Sequence, residues 1–261
     1  VLFRSSTMIL TLLPETWEKI SLFIIILFTV LLLAAIKLYK FVLKAVKQGD
    51  VILEDVKTNE FPFPIAKSWV WCRWNDLLSF AEYPMKRGPF GSALRKDDFV
   101  DEGIRVFEQY NPINDDPHWM RYFITPEKYE GLKAFATTAG DLLISCSGAT
   151  LGRITELPLG VRSGIINQAL LKITLHNELI NNGYFKHLFR SSYIQKKIWT
   201  KALGSAIPNM VGVAELKEML IPLPPIEEQR VIIDKVSSLM NMCDELEREV
   251  EKKQNLLSRI I

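Results

Sequence analysis

The stretch Ile221-Pro-Leu-Pro-Pro-Ile-Glu-Glu-Gln229, with the pattern beyond it, decides how this chain is built. Its prolines fix the backbone in an extended form and cannot continue a helix, which predicts a stiff connector ending at Pro225. Beyond it, apolar residues recur at steps of four and three, interrupted at Lys253, as in a heptad helix with one apolar seam. The seam residues are Ile232, Val236, Leu239, Cys243, Leu246, Val250 and Leu257. We therefore predict a coiled-coil dimerisation or spacer helix over residues 226–261.

A long helix with one narrow apolar stripe needs an apolar surface to cover that stripe. Two arrangements meet this need. The helix either pairs with a partner helix, as in a coiled coil, or folds back on the domain that precedes it. The sequence pattern leaves both arrangements open.

Residues 65–225 carry the pattern of a globular domain that mixes strands with helices. Two apolar runs of strand length and one short segment between them lie beside turn residues, and we predict all three to be strands. The runs are Asp141–Ser145 and Ala169–Leu175, and the short segment is Arg153–Thr155. A helical pattern begins near Tyr184 and restarts after Ser191-Ser192, where serine is a favourable N-cap. We predict an α+β fold with a curved mixed sheet and helices, followed by the long coiled-coil helix.

The N-terminal segment, residues 1–48, is hydrophobic. Ile20–Ile36 is a run of 17 uncharged residues, close to the roughly 20 that a membrane helix needs. Lysines lie directly after the run, which predicts membrane contact through residues 20–43 and a cytoplasmic location, at the inner face of the membrane, for the rest of the chain. A joined reading frame is the alternative, because Val1–Ser5 resembles the translation of a sequencing-adapter end. Residues 49–64 are predicted to be a linker.

Composition and motifs argue against catalysis in this chain. The formal net charge is only +2, so any nucleic-acid surface has to be local. Cys72, Cys146 and Cys243 are far apart and have no histidine at ligand spacing, which excludes a recognisable zinc site. The sequence contains neither a phosphate-binding loop nor a nucleophile elbow, and Cys146 is better explained as a strand cysteine than as a nucleophile. We predict no enzyme activity, no metal and no cofactor.

The basic residues offer a more specific signal. Lys86, Arg87, Arg95 and Lys96 fall within eleven residues and surround Gly88-Pro-Phe-Gly91. This pattern predicts a basic loop with enough backbone freedom to follow a phosphate strand. Ordinary solvated charge is the alternative interpretation.

Several stretches, taken in order, resemble one target-recognition unit of a type I restriction-modification specificity subunit, the HsdS family. The resemblance runs from residue 61 to residue 261. It rests on Phe61-Pro-Phe-Pro-Ile-Ala-Lys-Ser-Trp69, Gly140-Asp-Leu-Leu-Ile-Ser-Cys-Ser-Gly148, Ile166-Asn-Gln168, Ser191-Ser-Tyr-Ile194, Gly204-Ser-Ala-Ile-Pro-Asn209 and Ile221–Gln229. Unlike the full family pattern, this sequence shows one recognition region and one coiled-coil region, which suggests a fragment or a half-size subunit.

The resemblance implies a non-catalytic, sequence-specific DNA-binding subunit that reads one half of a bipartite site. Its implied partners are double-stranded DNA and the modification (methyltransferase) and restriction subunits, which use S-adenosylmethionine, and ATP with magnesium. A chain with one unit would pair with a second copy, as a homodimer through residues 226–261. The predicted DNA-binding residues are Lys86, Arg87, Arg95, Ser147, Arg153, Arg162, Ser205 and Asn209. The alternative function is a membrane-anchored coiled-coil module that binds protein.

Overall fold

The computed structural model describes residues 56–199 and 208–257, all within one compact unit, Leu53–Ile261. The hydrophobic N-terminal segment and Ser205 lie outside the described residues. Among the residues described, no helix has both the length and the apolar character that crossing a bilayer requires.

Nine strands and six α-helices make up the described unit, and short 3-10 turns connect several of them. The strands are β1 Val70–Arg73, β2 Met85–Arg87, β3 Ile104–Phe107, β4 Tyr122–Ile124, β5 Leu142–Ser145, β6 Ile154–Glu156, β7 Gly164–Ile166, β8 Leu170–Ile173 and β9 Leu220–Leu223. The helices are α1 Tyr110–Asn114, α2 Pro126–Glu130, α3 Asn182–Arg190, α4 Ser192–Trp199, α5 Val213–Lys217 and α6 Ile226–Leu257. The mixed helix-and-sheet class that the sequence predicted is confirmed.

The strands form three sheets, where the sequence predicted one curved mixed sheet. Strands β2, β8, β5 and β6 form an antiparallel sheet, and β4, β3 and β7 form a second sheet in which β3 and β7 are parallel. The chain passes from β7 to β8 through a tight turn in which Asn167 Oδ1 accepts a hydrogen bond from the Ala169 N–H at 3.1 Å. This turn takes the chain from one sheet to the other. The apolar residues on either side of it do not show in the sequence that their strands belong to different sheets.

The largest core lies between the four-stranded sheet and helices α3 and α4. Trp74 is fully buried there, with its ring centroid 5.1 Å from that of Phe185 and 6.0 Å from that of Phe189. The restart between the two helices is as predicted, since Ser191 accepts hydrogen bonds from the N–H groups of Ile194 and Gln195. Two smaller clusters fill the second sheet and the space between the sheets.

The proline-rich connector is a strand rather than a free spacer. Strand β9 pairs antiparallel with β1, with Val70 opposite Leu223 and Trp71 opposite Pro222. A proline disfavours a central strand because it lacks an N–H donor. In a two-stranded sheet each strand has an open edge, and here the Pro222 carbonyl accepts from the Tyr184 hydroxyl at 2.7 Å.

Helix α6 has an anchored base and a projecting remainder. Gln229 is fully buried, and Ile232 and Ile233 pack against the domain core. From Ser237 to Gln254, every residue is exposed. Ile232, the first residue of the predicted seam, therefore packs partly against its own domain. The fold-back alternative is wrong for the part of the helix from 237 to 254.

Candidate nucleic-acid interface

A cluster of polar side chains forms where β2, the turn after β5 and the segment before α5 meet. Arg87, at the end of β2, donates from Nη2 to Asn209 Oδ1 at 3.1 Å. Asn209 is held opposite Ser147 by two flanking hydrogen bonds, from the Gly148 N–H to Pro208 O and from the Met210 N–H to Cys146 O, each 2.9 Å. Three residues that the sequence predicted to act together are therefore neighbours.

Gln109 completes this group and was missed by sequence reasoning. Its Nε2 donates to Ser147 O at 2.7 Å and is 3.3 Å from Ser147 Oγ. A single glutamine after a strand carries no motif, so only the fold reveals its position. We call Arg87, Gln109, Ser147 and Asn209 the arginine–amide cluster.

Phe90 extends the arginine–amide cluster towards solvent. The guanidinium carbon of Arg87 lies 5.4 Å from the centre of the Phe90 ring, which is within the range of a cation–π contact. Phe90 is 65% exposed, so its ring is open to solvent. The arginine is thus positioned by an amide on one side and a ring on the other.

Gly88 brings the β2 end against the turn between β7 and β8. A Cβ atom at Gly88 would lie 1.8 Å from the Asn167 carbonyl oxygen, so only glycine allows this approach. Beside this contact lies a cavity of about 260 Å³. Its lining residues are Leu94, Arg95, Lys96, Phe99, Glu108, Tyr122, Asn167 and Gln168. We call it the Glu108 cavity. Because Asn167 lines it together with Arg95 and Lys96, these two basic residues lie next to the turn that Gly88 contacts.

One carboxyl group and one guanidinium group near β3 have altered pKa values. Burial raises the pKa of Glu108, and the nearby Arg121 charge opposes this effect. Burial also lowers the pKa of Arg105 to about 10, although Asp116 opposes it. Arg105 donates to the carbonyls of Pro117 and Trp119 at 2.7 and 2.5 Å, so it holds the loop after α1 in place.

Lys86 does not join the arginine–amide cluster. Adjacent side chains in a strand point to opposite faces, and Lys86 and Arg87 are neighbours in β2. The Lys86 Nζ lies 5.1 Å from the Tyr83 ring centre and 5.3 Å from that of Phe135. The predicted single basic loop is therefore wrong for this pair, because the strand separates their side chains.

Arg153 and Arg162 also occupy other environments. Arg162 donates to the Gly103 carbonyl and lies over the Phe123 ring in the second sheet. Arg153 lines a different cavity, of about 590 Å³, together with Asp115. The contacts thus distribute the predicted arginines over separate places on the domain instead of joining them in one group.

Cys146 sits beneath the arginine–amide cluster and is not suited to nucleophilic attack. It is almost fully buried, and burial raises the pKa of its thiol to about 12 although Arg87 opposes the shift. A thiol with so high a pKa contains almost no thiolate at neutral pH. Within the described part of the chain, no group of histidine, cysteine and acidic residues has the geometry of a metal site.

Comparison with known sequences identifies related proteins over most of the described domain. The family profile described as Type I restriction modification DNA specificity domain matches residues 87–256. The chain is 21% identical over 209 residues to the Escherichia coli type I restriction enzyme EcoAI specificity subunit, covering 77% of this chain and 34% of that protein. It is 24% identical over 213 residues to the Escherichia coli EcoBI specificity subunit, covering 81% and 42%. The chain therefore spans less than half the length of these curated relatives.

Solved structures share the fold. A chain from a structure concerned with assembly and conformational transition of the type I R-M system superposes with a TM-score of 0.56 and 19% identity, covering 86% of this chain and 52% of that one. The HsdS subunit from Thermoanaerobacter tengcongensis superposes with a TM-score of 0.52 and 23% identity, covering 77% and 50%. At such identities, the likeness concerns the arrangement of helices and strands.

Proposed function

The chain belongs to the type I restriction modification DNA specificity domain family, and we propose that its domain reads one half of a bipartite DNA site. The observation that carries this proposal is the arginine–amide cluster. Arginine pairs bidentately with guanine O6 and N7, and asparagine or glutamine pairs bidentately with adenine N6 and N7. Here the arginine Arg87 and the amide side chain of Asn209 are hydrogen-bonded to each other, and Gln109 is hydrogen-bonded to the neighbouring Ser147.

Arg87 is the side chain that we expect to contribute most. A guanidinium has five N–H donors in a rigid fork, and among the described residues that of Arg87 pairs only with Asn209. The Phe90 ring beside it restricts its orientation. Arg87 is thereby prepared to recognise guanine, while Asn209 and Gln109 are suited to adenine.

The proposed role is recognition rather than catalysis. The matched relatives are named as specificity subunits of restriction enzymes, and the one cysteine at the cluster is buried with a raised thiol pKa. Methylation and cleavage of DNA would then be carried out by separate modification and restriction subunits bound to this one. Those subunits would bind and use S-adenosylmethionine, and ATP with magnesium, and this chain would hold none of them.

Selection from a pool of random duplexes tests the DNA-binding proposal. We expect the chain to enrich one sequence, with an affinity that falls steeply as salt rises. Arg87→Ala should weaken binding to the enriched duplex by about 5- to 100-fold, as expected for a lost bidentate base contact. Arg248→Ala, an equal loss of charge on the exposed part of α6, is the control. Absence of any enriched sequence, or equal effects of both substitutions, would contradict the proposal.

We further propose that α6 pairs with a second copy of itself. Leu239, Leu246 and Val250 are about half exposed or more, although they are apolar. Lys235 and Glu249 are equivalent heptad positions beside this seam. An antiparallel pair centred between residues 239 and 243 would bring Lys235 of one copy near Glu249 of the other, so charge supports this arrangement.

Light scattering on the chain tests the pairing. Leu239→Lys with Leu246→Lys places charges in the seam and should convert a dimer to a monomer at micromolar concentration. Ser238→Lys with Asn241→Lys adds the same charge outside the seam and should leave the mass of a dimer. A wild-type chain that is monomeric at tens of micromolar would overturn the homodimer.

The alternative function, a membrane-anchored protein-interaction module, depends on residues 20–43, which lie outside the described residues. The predicted membrane contact and location stay predictions. Binding to lipid vesicles with DNA binding that is absent or insensitive to salt would favour this alternative over DNA recognition.

A further inference from the structure

Glu108 lines the cavity named after it and has one carboxylate oxygen without a hydrogen-bond partner among the described residues. The residue follows β3 and is partly exposed, but its Oε2 is buried and has no hydrogen-bond partner among the described residues. Buried polar atoms almost always find a partner, because an unpaired one loses its contacts with water without compensation. Because this oxygen has almost no exposed surface, the side chain has to turn towards the cavity before a donor from outside the domain can bind it.

The walls of the Glu108 cavity are held in place before any ligand enters. The Phe99 and Tyr122 rings are stacked, with centroids 4.4 Å apart and planes 7° from parallel. At the rim, the backbone N–H of Arg95 donates to Asp98 Oδ2 at 2.6 Å, and Asp98 pairs with Lys128 at 3.0 Å. The turn at residues 95–98 is fixed by these contacts, while the Arg95 side chain remains exposed.

The cavity adjoins the arginine–amide cluster. Asn167 and Gln168 line the cavity and also contact Gly88, the residue that follows Arg87. On the other side, Glu108 precedes Gln109 in the chain. A DNA edge that reaches Arg87 and Gln109 would therefore pass beside Glu108.

We propose that Glu108 accepts a hydrogen bond from the N4 amine of a cytosine in the major groove. This inference rests on the proposed DNA recognition and assigns one base to one residue. A carboxylate is an acceptor only, and cytosine offers only a donor at this edge. Adenine is the poorer ligand because its N6 donor lies beside the N7 acceptor, which a carboxylate would repel. The paired guanine offers two acceptors, which the exposed Arg95 is suited to contact.

Duplex selection with variants of the full 261-residue chain tests this assignment. For the wild type, we expect one position of the enriched site to be cytosine, preferred about tenfold over other bases. Glu108→Gln has nearly the same shape and replaces one acceptor oxygen with a donor, so this position should lose its cytosine preference and shift towards adenine. Glu178→Gln, an exposed carboxylate elsewhere, should leave every position unchanged.

A change in the DNA gives an independent measurement on the wild-type protein. Replacing that cytosine with 2-pyrimidinone removes the N4 amine and should weaken wild-type binding about tenfold. The replacement should have little effect on Glu108→Gln. An unchanged preference in the variant, or wild-type binding that is insensitive to the missing amine, would overturn the role of Glu108 while leaving DNA recognition intact. A wild type that enriches no sequence would instead refute the proposed function.

Discussion

The two parts of helix α6 show opposite relations between polarity and burial. In the anchored base, Gln229 is a polar residue with no exposed surface. In the projecting part, Leu246 is apolar and 65% exposed. One uninterrupted helix thus buries Gln229 and exposes Leu239 and Leu246. The comparison teaches that the heptad pattern identifies the apolar side chains that need a covering surface, whereas hydrogen bonds to the domain identify where the helix is attached.

Gln229 makes the attachment through three hydrogen bonds. Its Nε2 donates to Leu179 O and Pro224 O, both at 2.9 Å, and its Oε1 accepts from the Asn181 N–H at 2.8 Å. These bonds connect the start of α6 to the start of α3 and to the end of the connector. Both amide N–H donors are used, and one lone pair of the amide oxygen remains.

Removing this attachment should give the largest change in stability. Gln229→Met keeps the volume but leaves a buried N–H and two carbonyls unpaired, so we expect the free energy of unfolding to fall by about 3 kcal/mol. Urea denaturation measures the change. Gln254→Met, on the exposed part, should change it by less than about 0.5 kcal/mol. A loss below about 1 kcal/mol for Gln229→Met would show that the anchored base depends on apolar contacts instead.

Glu228 should give a smaller effect of the same kind. Its carboxylate accepts from Trp69 Nε1 at 2.7 Å and from Ser68 Oγ at 3.2 Å, connecting α6 to the segment before β1. Glu228→Ala should cost about 1–2 kcal/mol by thermal or urea unfolding. Glu227→Ala removes only an exposed pair with Arg230 and should cost less than about 0.5 kcal/mol. Equal costs would mean that the Trp69 bond does not stabilise the junction.

The smallest expected effect concerns pH and Asp141, the residue directly before β5. Asp141 is buried, and burial raises the pKa of its carboxyl above the ordinary value, although Thr174, Thr138 and Lys172 oppose the shift. The folded state then binds this proton more tightly than the unfolded state. Its contribution to stability is fully present below the ordinary pKa of about 3.9 and is lost as pH rises through the raised value.

Urea unfolding between pH 4 and 7 checks this sign. The stability of the wild type minus that of Asp141→Asn should decrease as pH rises, because only the wild type releases the proton. Parallel stability profiles for the two proteins would contradict the raised pKa. If the wild type instead gained stability over Asp141→Asn as pH rises, the hydrogen bonds from Thr174 and Thr138 would lower the pKa of Asp141 by more than burial raises it.

The sequence predicted the positions of strands and helices better than it predicted which strands pair with each other. The strand at Leu142–Ser145 lies where apolar residues follow a turn, and α6 begins directly after Pro225, as predicted. The pairing of β9 with β1 was missed because proline argues against a strand unless an open edge accepts it. Which strands share a sheet depends on contacts between distant residues, and no local pattern encodes those.

The candidate site shows the same limit. Ser147 and Asn209 lie in small-residue turns that the sequence singled out, and the fold brings both to Arg87. Lys86 differs from Arg87 by one position, yet its side chain points the other way because β2 is a strand and not a loop. Gln109 and Glu108 carry no motif, so only the fold places them at this surface.

The pairing of β1 with β9 has an evolutionary consequence. These strands enter and leave the domain side by side, with Arg73 opposite Leu220, so the two ends of the domain are separated by about one strand spacing of 4.8 Å. Recombination that exchanges the segment between them inserts a foreign domain whose ends already fit the recipient. Gln229 follows immediately and would keep its bond to Pro224 O, while the inserted domain would have to supply the partners that Leu179 O and the Asn181 N–H provide here. The exchange would leave the sequence of helix α6 itself unchanged.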